Sequence, residues 1–199
     1  TAIGDFDLDG IPEIVVVQNG EAFILDNTGV LLESFSLVDS RGGPPTIADY
    51  DGDEVPEIGV AGANYYAVYE ADGTILWQTA TVDESSNMTG SSVFDFDGDG
   101  TAEVVYADEE HLYVFDGPTG ADRLASTGFE SGDHSNGTLQ EYPSLADVDG
   151  DGSTEIILAS SDYQGVIEWQ GVRAIGSKSS TWMPSRPIWN QHAYSITNI

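Results

Sequence analysis

Four times along the chain, three aspartates alternate with other residues and a glutamate follows at the ninth position. The first copy supplies Asp5, Asp7, Asp9 and Glu13, and the second Asp49, Asp51, Asp53 and Glu57. The third supplies Asp95, Asp97, Asp99 and Glu103, and the fourth Asp147, Asp149, Asp151 and Glu155. Carboxylates at loop positions one, three and five can turn towards one centre while the residues between them face outward. A backbone carbonyl at position seven (Ile11, Val55, Thr101 or Ser153) and the glutamate at position nine add to the shell. Calcium takes about six or seven such hard oxygens at roughly 2.3–2.6 Å, in a forgiving geometry. Magnesium demands a tight octahedron and would leave many of these acids facing one another uncompensated. Zinc and iron draw on histidine or cysteine. This chain has no cysteine, and its three histidines lack ligand spacing to one another. The expected cofactor is Ca2+, at about four sites.

One such loop could be an ordinary turn, because aspartate and glycine are common turn residues. Four in register are harder to dismiss. Their starts lie 44, 46 and 52 residues apart. Without cations each cluster would suffer like-charge repulsion, which raises carboxylate pKa values. Positions one, three, five and nine of the loops hold 16 of the 35 acidic residues, and four Ca2+ would move the formal charge from −30 to −22. Position six, at the sharp bend, is glycine in three copies and Glu54 in the second. That makes the second loop the expected weakest site. Leu8 replaces a glycine in the first copy, which removes flexibility but no ligand.

Such loops need strands to hold them. Short strand-like runs precede them (1–3, 45–48, 92–94, 143–146) and apolar strands follow directly (14–17, 58–61, 104–107, 156–159). Thirteen residues after each motif glutamate stands another acid, Asp26, Glu70, Asp116 or Glu168. It closes a second strand over 22–25, 66–69, 112–115 or 165–167. Glycine-bearing turns then lead to a third strand over 30–37, 74–79 and, more weakly, 121–126. No stretch of 11 or more residues carries helical periodicity. The repeat length suits a propeller blade. The expected fold class is therefore all-β, a β-propeller or partial propeller of four-stranded antiparallel blades. The blades fall at about 1–44, 45–90, 91–142 and 143–170, and a sheet with two apolar faces must stack on neighbours. The polar, glycine-rich stretch 130–137 is expected in an exposed loop. Residues 171–199 read as a closing strand and cap, or the start of a further unit.

The balance of 35 acidic against five basic residues repels nucleic-acid phosphates and anionic membranes and attracts cations. Nine tyrosines, seven phenylalanines and four tryptophans argue against a disordered acidic tail. There is no run of 18 apolar residues to insert in a bilayer. Millimolar calcium outside cells suits exposed carboxylate sites, which favours a secreted or cell-surface setting.

The acidic motif and its flanking strands resemble the FG-GAP or VCBS-type repeats, the calcium-bearing blades of integrin α-like propellers, over about residues 1–170. The tail around Trp182, Arg186, Trp189, His192 and Tyr194 also looks like a segment that follows such repeats in bacterial surface proteins. The resemblance implies structural calcium, an extracellular location and roles in adhesion or carbohydrate binding. Such propellers have six to eight blades, so four copies suggest a piece of a longer chain, or two copies completing one ring. The leading expectation is a calcium-stabilised, non-catalytic module for adhesion or surface assembly, with a protein or glycan partner. One alternative is a lectin-like propeller in which Trp182, Trp189 or other aromatics stack on sugars. Another is part of a polysaccharide lyase, with His192 as base, Tyr194 as acid and Arg186 neutralising a uronate.

Overall fold

The computed structural model describes residues 1–126, 134–137, 142–163, 165 and 170–185. Within them, strands follow one another in four small antiparallel sheets. The first sheet comprises β1 (Ala2–Gly4), β2 (Glu13–Gln18), β3 (Glu21–Leu25) and β4 (Leu31–Ser36), side by side in chain order. The second repeats this plan with β5 (Thr46–Ala48), β6 (Glu57–Ala61), β7 (Tyr65–Tyr69) and β8 (Ile75–Ala80). The third holds β9 (Ser92–Phe94), β10 (Glu103–Ala107) and β11 (Leu112–Phe115), followed by one helical turn, α1 (Arg123–Ser126). The fourth holds β12 (Ser144–Ala146), β13 (Glu155–Ser160) and β14 (Gly171–Gly176).

The register is the same in every sheet. Gly4, Ala48, Phe94 and Ala146 lie opposite Glu13, Glu57, Glu103 and Glu155. Each acidic loop therefore closes the hairpin between a first and a second strand, and the motif glutamate opens the second. The fourth strands of the first two sheets, β4 and β8, arrive through turns in which Gly29 and Gly73 adopt φ of 88° and 83°. That left-handed backbone is what the sequence needed glycine for.

Side chains alternate across each strand, so one sheet can serve two cores. Val15, Ala22 and Ile24 of the first sheet pack against Ile58, Val60, Ala67 and Tyr69 of the second. The opposite face of the second sheet, with Ala61, Tyr66, Val68 and Trp77, meets Val104, Tyr106 and Phe115 of the third. Val105, Ala107, Leu112 and Val114 then face Leu145, Ile156, Leu158 and Ile175 of the fourth. Every residue of β6 and β10 is buried as a result, whereas β2 is buried on one face and half-exposed on the other. The joint between the second and third sheets is aromatic: Tyr66 lies 5.3–5.8 Å from the rings of Trp77, Tyr106 and Phe115. Strand β1 adjoins β5, and β5 adjoins β9, so the first strands of the first three sheets form a row.

Three expectations change. Residues 121–126 do not form a third strand. Asp122 makes one bridge to Phe115, and its side chain accepts the amide of Leu124, capping α1. A short acid that satisfies an orphan amide favours a helical start over a ladder. Secondly, His134, Ser135 and Asn136 are buried, although their polarity suggested an exposed loop. They are threaded between sheets: the His134 amide donates to Glu110, Asn136 to Glu109, and Ser161 to Ser135. Thirdly, β13 pairs with β12 on one side and on the other with β14, at Gly171–Gly176. Most of the second strand expected over 165–167, with Glu168 beyond it, lies outside the described residues, as do 130–133.

Candidate metal centres

Each acidic loop is wound around its own carboxylates. The first aspartate accepts amides from the far side of the bend: Asp9 and Gly10 on Asp5, and Gly52 and Glu54 on Asp49. Gly98, Asp99 and Gly100 donate to Asp95, and Gly150 and Gly152 to Asp147. The aspartate at position three accepts the amide of position five through Oδ1 in all four loops. The aspartate at position five likewise accepts the amide of Ile11, Val55, Thr101 or Ser153 at 2.7–2.8 Å. In the second loop these bonds engage Oδ1 of Asp51 and Asp53 and leave each Oδ2 for a cation.

Backbone conformation is shared as closely. Position four is left-handed at Leu8 (59°), Gly52 (86°), Gly98 (76°) and Gly150 (77°). So is position six, at Gly10 (86°), Glu54 (76°), Gly100 (96°) and Gly152 (87°). Glu54 thus takes up the glycine-like bend itself, and a residue with a Cβ is held there at a cost of about 1–2 kcal/mol. Glu54→Gly is expected to stabilise the chain by up to about 1 kcal/mol, the gain being reduced by glycine's greater freedom when unfolded. Denaturant midpoints of the two proteins in chelator would check it.

The motif glutamates divide their labour between two oxygens. Oε2 accepts the amide of position two, from Phe6, Tyr50, Phe96 or Val148, at 2.7–3.0 Å. In the second loop the side chain is fully buried, and its other oxygen, Glu57 Oε1, has no hydrogen-bond partner. Oxygens of Asp49, Asp51, Asp53 and Glu57 converge within 4.8 Å of one another. Burial, reinforced by Asp51, Glu70 and Asp49, pushes the Glu57 carboxyl up to about 8. Burial and the aspartates Asp51, Asp53 and Asp72 raise Glu70 as well. An unpartnered buried carboxylate oxygen beside three further acids calls for a proton or a metal cation. The donors are all hard oxygens, which fits calcium.

Smaller convergences occur in the other loops: Asp5, Asp7 and Glu13; Asp95, Asp97 and Asp99; Asp147, Asp149 and Glu155. The loop expected to be weakest is therefore the one that gathers all four acids. Asp9, Glu103 and Asp151 stand outside these groups. Asp151 Oδ2 accepts a bond from Ser180 Oγ at 2.5 Å. Glu103 Oε1 forms an ion pair with Arg123, whose Nη1 lies 2.9 Å away and donates its hydrogen bond to Asp97 Oδ2 at 2.7 Å. Arg123 further donates through Nε to Asp116 Oδ1 at 2.9 Å, with Nη2 ion-paired 2.8 Å from the same oxygen. Sequence reading passed over this arginine. Its signal was a cation seven residues beyond Asp116, where the first two repeats place Glu33 and Trp77.

Of the residues considered for a ligand, Trp182 is taken up in packing. Its ring lies 4.7 Å from that of Phe96, against the core of the third and fourth sheets. The segment around it ties two acidic loops together. The Met183 amide donates to the Phe96 carbonyl, its carbonyl accepts Thr154 Oγ1, and the Asp147 amide donates to Ser185 Oγ. Trp77 is likewise buried, with its indole donating to the Gly117 carbonyl. Arg186, Trp189, His192 and Tyr194 lie outside the described residues.

The FG-GAP-like repeat profile matches residues 49–106 and 95–158, more than half of the chain. The chain belongs to the FG-GAP-like repeat family. Its fold is similar to that of the V. cholerae biofilm matrix protein Bap1, with a TM-score of 0.59 and 22% identity over 99% of this chain. The match spans 37% of Bap1, so this repeat chain corresponds to a little over a third of that protein's length. A chain of the BBS1N–ARL6DN complex matches at a TM-score of 0.56 and 13% identity, over 93% of this chain and 56% of that one. BamB from Moraxella catarrhalis matches at 0.50 and 17%, over 82% and 49%. No curated protein matches. Repeats of this family form the small antiparallel sheets described above, and several of them carry acidic clusters able to coordinate a divalent cation.

Proposed function

We propose that the chain is a calcium-stabilised, non-catalytic module of a secreted or cell-surface protein that serves adhesion or surface assembly. The observation that carries this reading is the second loop, where a buried glutamate oxygen without a partner meets three aspartates. The same loop shape recurs at the same register of every sheet, giving about four calcium sites. Their ligands would be the aspartates at positions one, three and five, the carbonyl at position seven and the glutamate at position nine. Bound ions would pin the first strand of each sheet to the second. Each repeat would then be a blade, with 171–176 completing the fourth, in part of a β-propeller. The row of adjoining first strands supports this, since inner strands line an axis in such folds. Likeness to a biofilm matrix protein supports a role outside the cell, with a protein or glycan partner at a surface. Further chain, or a second copy, would complete the ring.

Calorimetric titration tests the metal, and attachment of chain-coated beads to protein- and polysaccharide-coated surfaces tests the role. Uptake of about three to four ions, with attachment lost in chelator, is the expected result. Attachment that ignores calcium, or no uptake, would refute the reading.

A further inference from the structure

Only five basic residues accompany 35 acids in this chain, and one of them is placed inside an acidic loop. The Arg123 guanidinium spans Asp97 at position three, Glu103 at position nine, and Asp116, the acid thirteen residues on. The equivalent trio in the second repeat is Asp51, Glu57 and Glu70. Among the described residues that trio has no basic partner, and the buried Glu57 Oε1 is orphaned. In the third repeat burial also opposes ionisation of Asp116. Bonds from Thr119 and Arg123 outweigh it and hold that carboxyl below its ordinary value. The arginine thus does for one loop what a metal ion would do for another. In the first repeat, Asp26 is turned to its own bend and accepts bonds from Thr28 and Val30.

We propose that Arg123 is a resident counter-cation of the third loop, and that Ca2+ enters this loop only when the guanidinium withdraws from Asp97 and Glu103. The inference rests on the calcium reading of the loops. Calcium would sit roughly 2.3–2.6 Å from the oxygens it shares with the guanidinium. Nη1 already lies 2.7 and 2.9 Å from Asp97 Oδ2 and Glu103 Oε1. Two cations on the same two oxygens would repel strongly in a half-buried setting. Asp116 provides the alternative hold, since it binds Nε and Nη2 without help from the loop. Arg123 also opens α1, whose Leu124 is buried in the core between the third and fourth sheets. Metal entry at the third loop is therefore coupled to the seating of that helical turn, whereas among the described residues no arginine occupies the second loop. The third site is the weak one.

The test is calcium titration of the wild-type chain, Arg123→Gln, and Arg41→Gln as a control at an exposed arginine. Arg123→Gln is expected to tighten one site by about tenfold or more, a gain of about 1.4 kcal/mol or above, and to leave the others unchanged. The control should match the wild type. In the wild type, amide exchange across residues 121–126 should stay constant while the tighter sites fill, then quicken as the last ion binds. Calcium uptake with superimposable isotherms for the wild type and Arg123→Gln would overturn this proposal and spare the calcium reading. No uptake by any of the three proteins would remove both. Should Arg123→Gln not fold, the wild-type exchange decides: slowed or unchanged exchange at full loading overturns the proposal.

Discussion

Chelation is expected to lower the melting temperature of the wild-type chain by about 5–10 °C for each site that had been filled at a hundredfold excess over its dissociation constant. A ligand at that excess contributes about 2.7 kcal/mol, and each kcal/mol moves the midpoint of a chain of this size by about 2–4 °C. The effect should centre on Glu57. Glu57→Gln keeps an oxygen for the Tyr50 amide but removes the charge next to Asp49, Asp51 and Asp53. It should melt in calcium about as much lower as one lost site implies, and in chelator at or above the wild-type temperature. Glu57→Ala also strands the buried Tyr50 amide, at a further cost of about 1–3 kcal/mol in either buffer. Thermal melts of the three proteins in calcium and in chelator decide the matter. Equal wild-type midpoints in the two buffers would discard calcium as a stabilising ligand.

The second large effect is an inverted pH dependence. In chelator, burial raises Glu57 to about 8 and Glu103 to about 7 from an ordinary 4.5, with Arg123 partly offsetting the rise at Glu103. A carboxyl whose folded value lies above its unfolded one destabilises the fold wherever the unfolded chain ionises first. Below about pH 4.5 both states are protonated at these groups and the penalty vanishes. It grows as pH rises from there, and is complete above about 8 for Glu57 and about 7 for Glu103. The metal-free chain should therefore gain stability as pH falls from 8 towards 5. Calcium must displace the same protons, so its stabilisation should shrink over the same interval and the two melting curves should converge. Melts in chelator that fall steadily from pH 8 to pH 5.5 would contradict the burial of these carboxyls.

Sequence resolved the repeat because its strongest marks are local. A run such as Asp49 to Glu57 carries its own turn chemistry, and the residue opposite Glu57 is fixed by the length of the hairpin. The continuous apolar runs of β6 and β10 are readable for the same reason, since each strand feeds two cores. What escaped depended on partners distant in the chain. Burial of His134 follows from Glu110 and Ser160, which no local pattern links to it. Asp122 ended a strand pattern by capping α1, although aspartate beside apolar residues suits either element. Glu54 looked like a defect because glycine was the expected bend residue, yet the loop bonds around Asp49 hold it at a φ of 76°. Arg123 falls within the run 121–126 that reads as a strand, and only the third dimension brings it against Asp97 and Glu103.

Because each sheet meets the next through its own core cluster, the chain behaves as a short one-dimensional array governed by nearest-neighbour couplings. The central link, where Tyr66 meets Tyr106 and Phe115, joins two pairs of sheets. A lesion there divides the array in half, whereas one in β2 or β14 frays only an end. Amide protection should accordingly decline from β6 and β10 outward, and a pulling force should unzip the outer sheets before that aromatic link gives way.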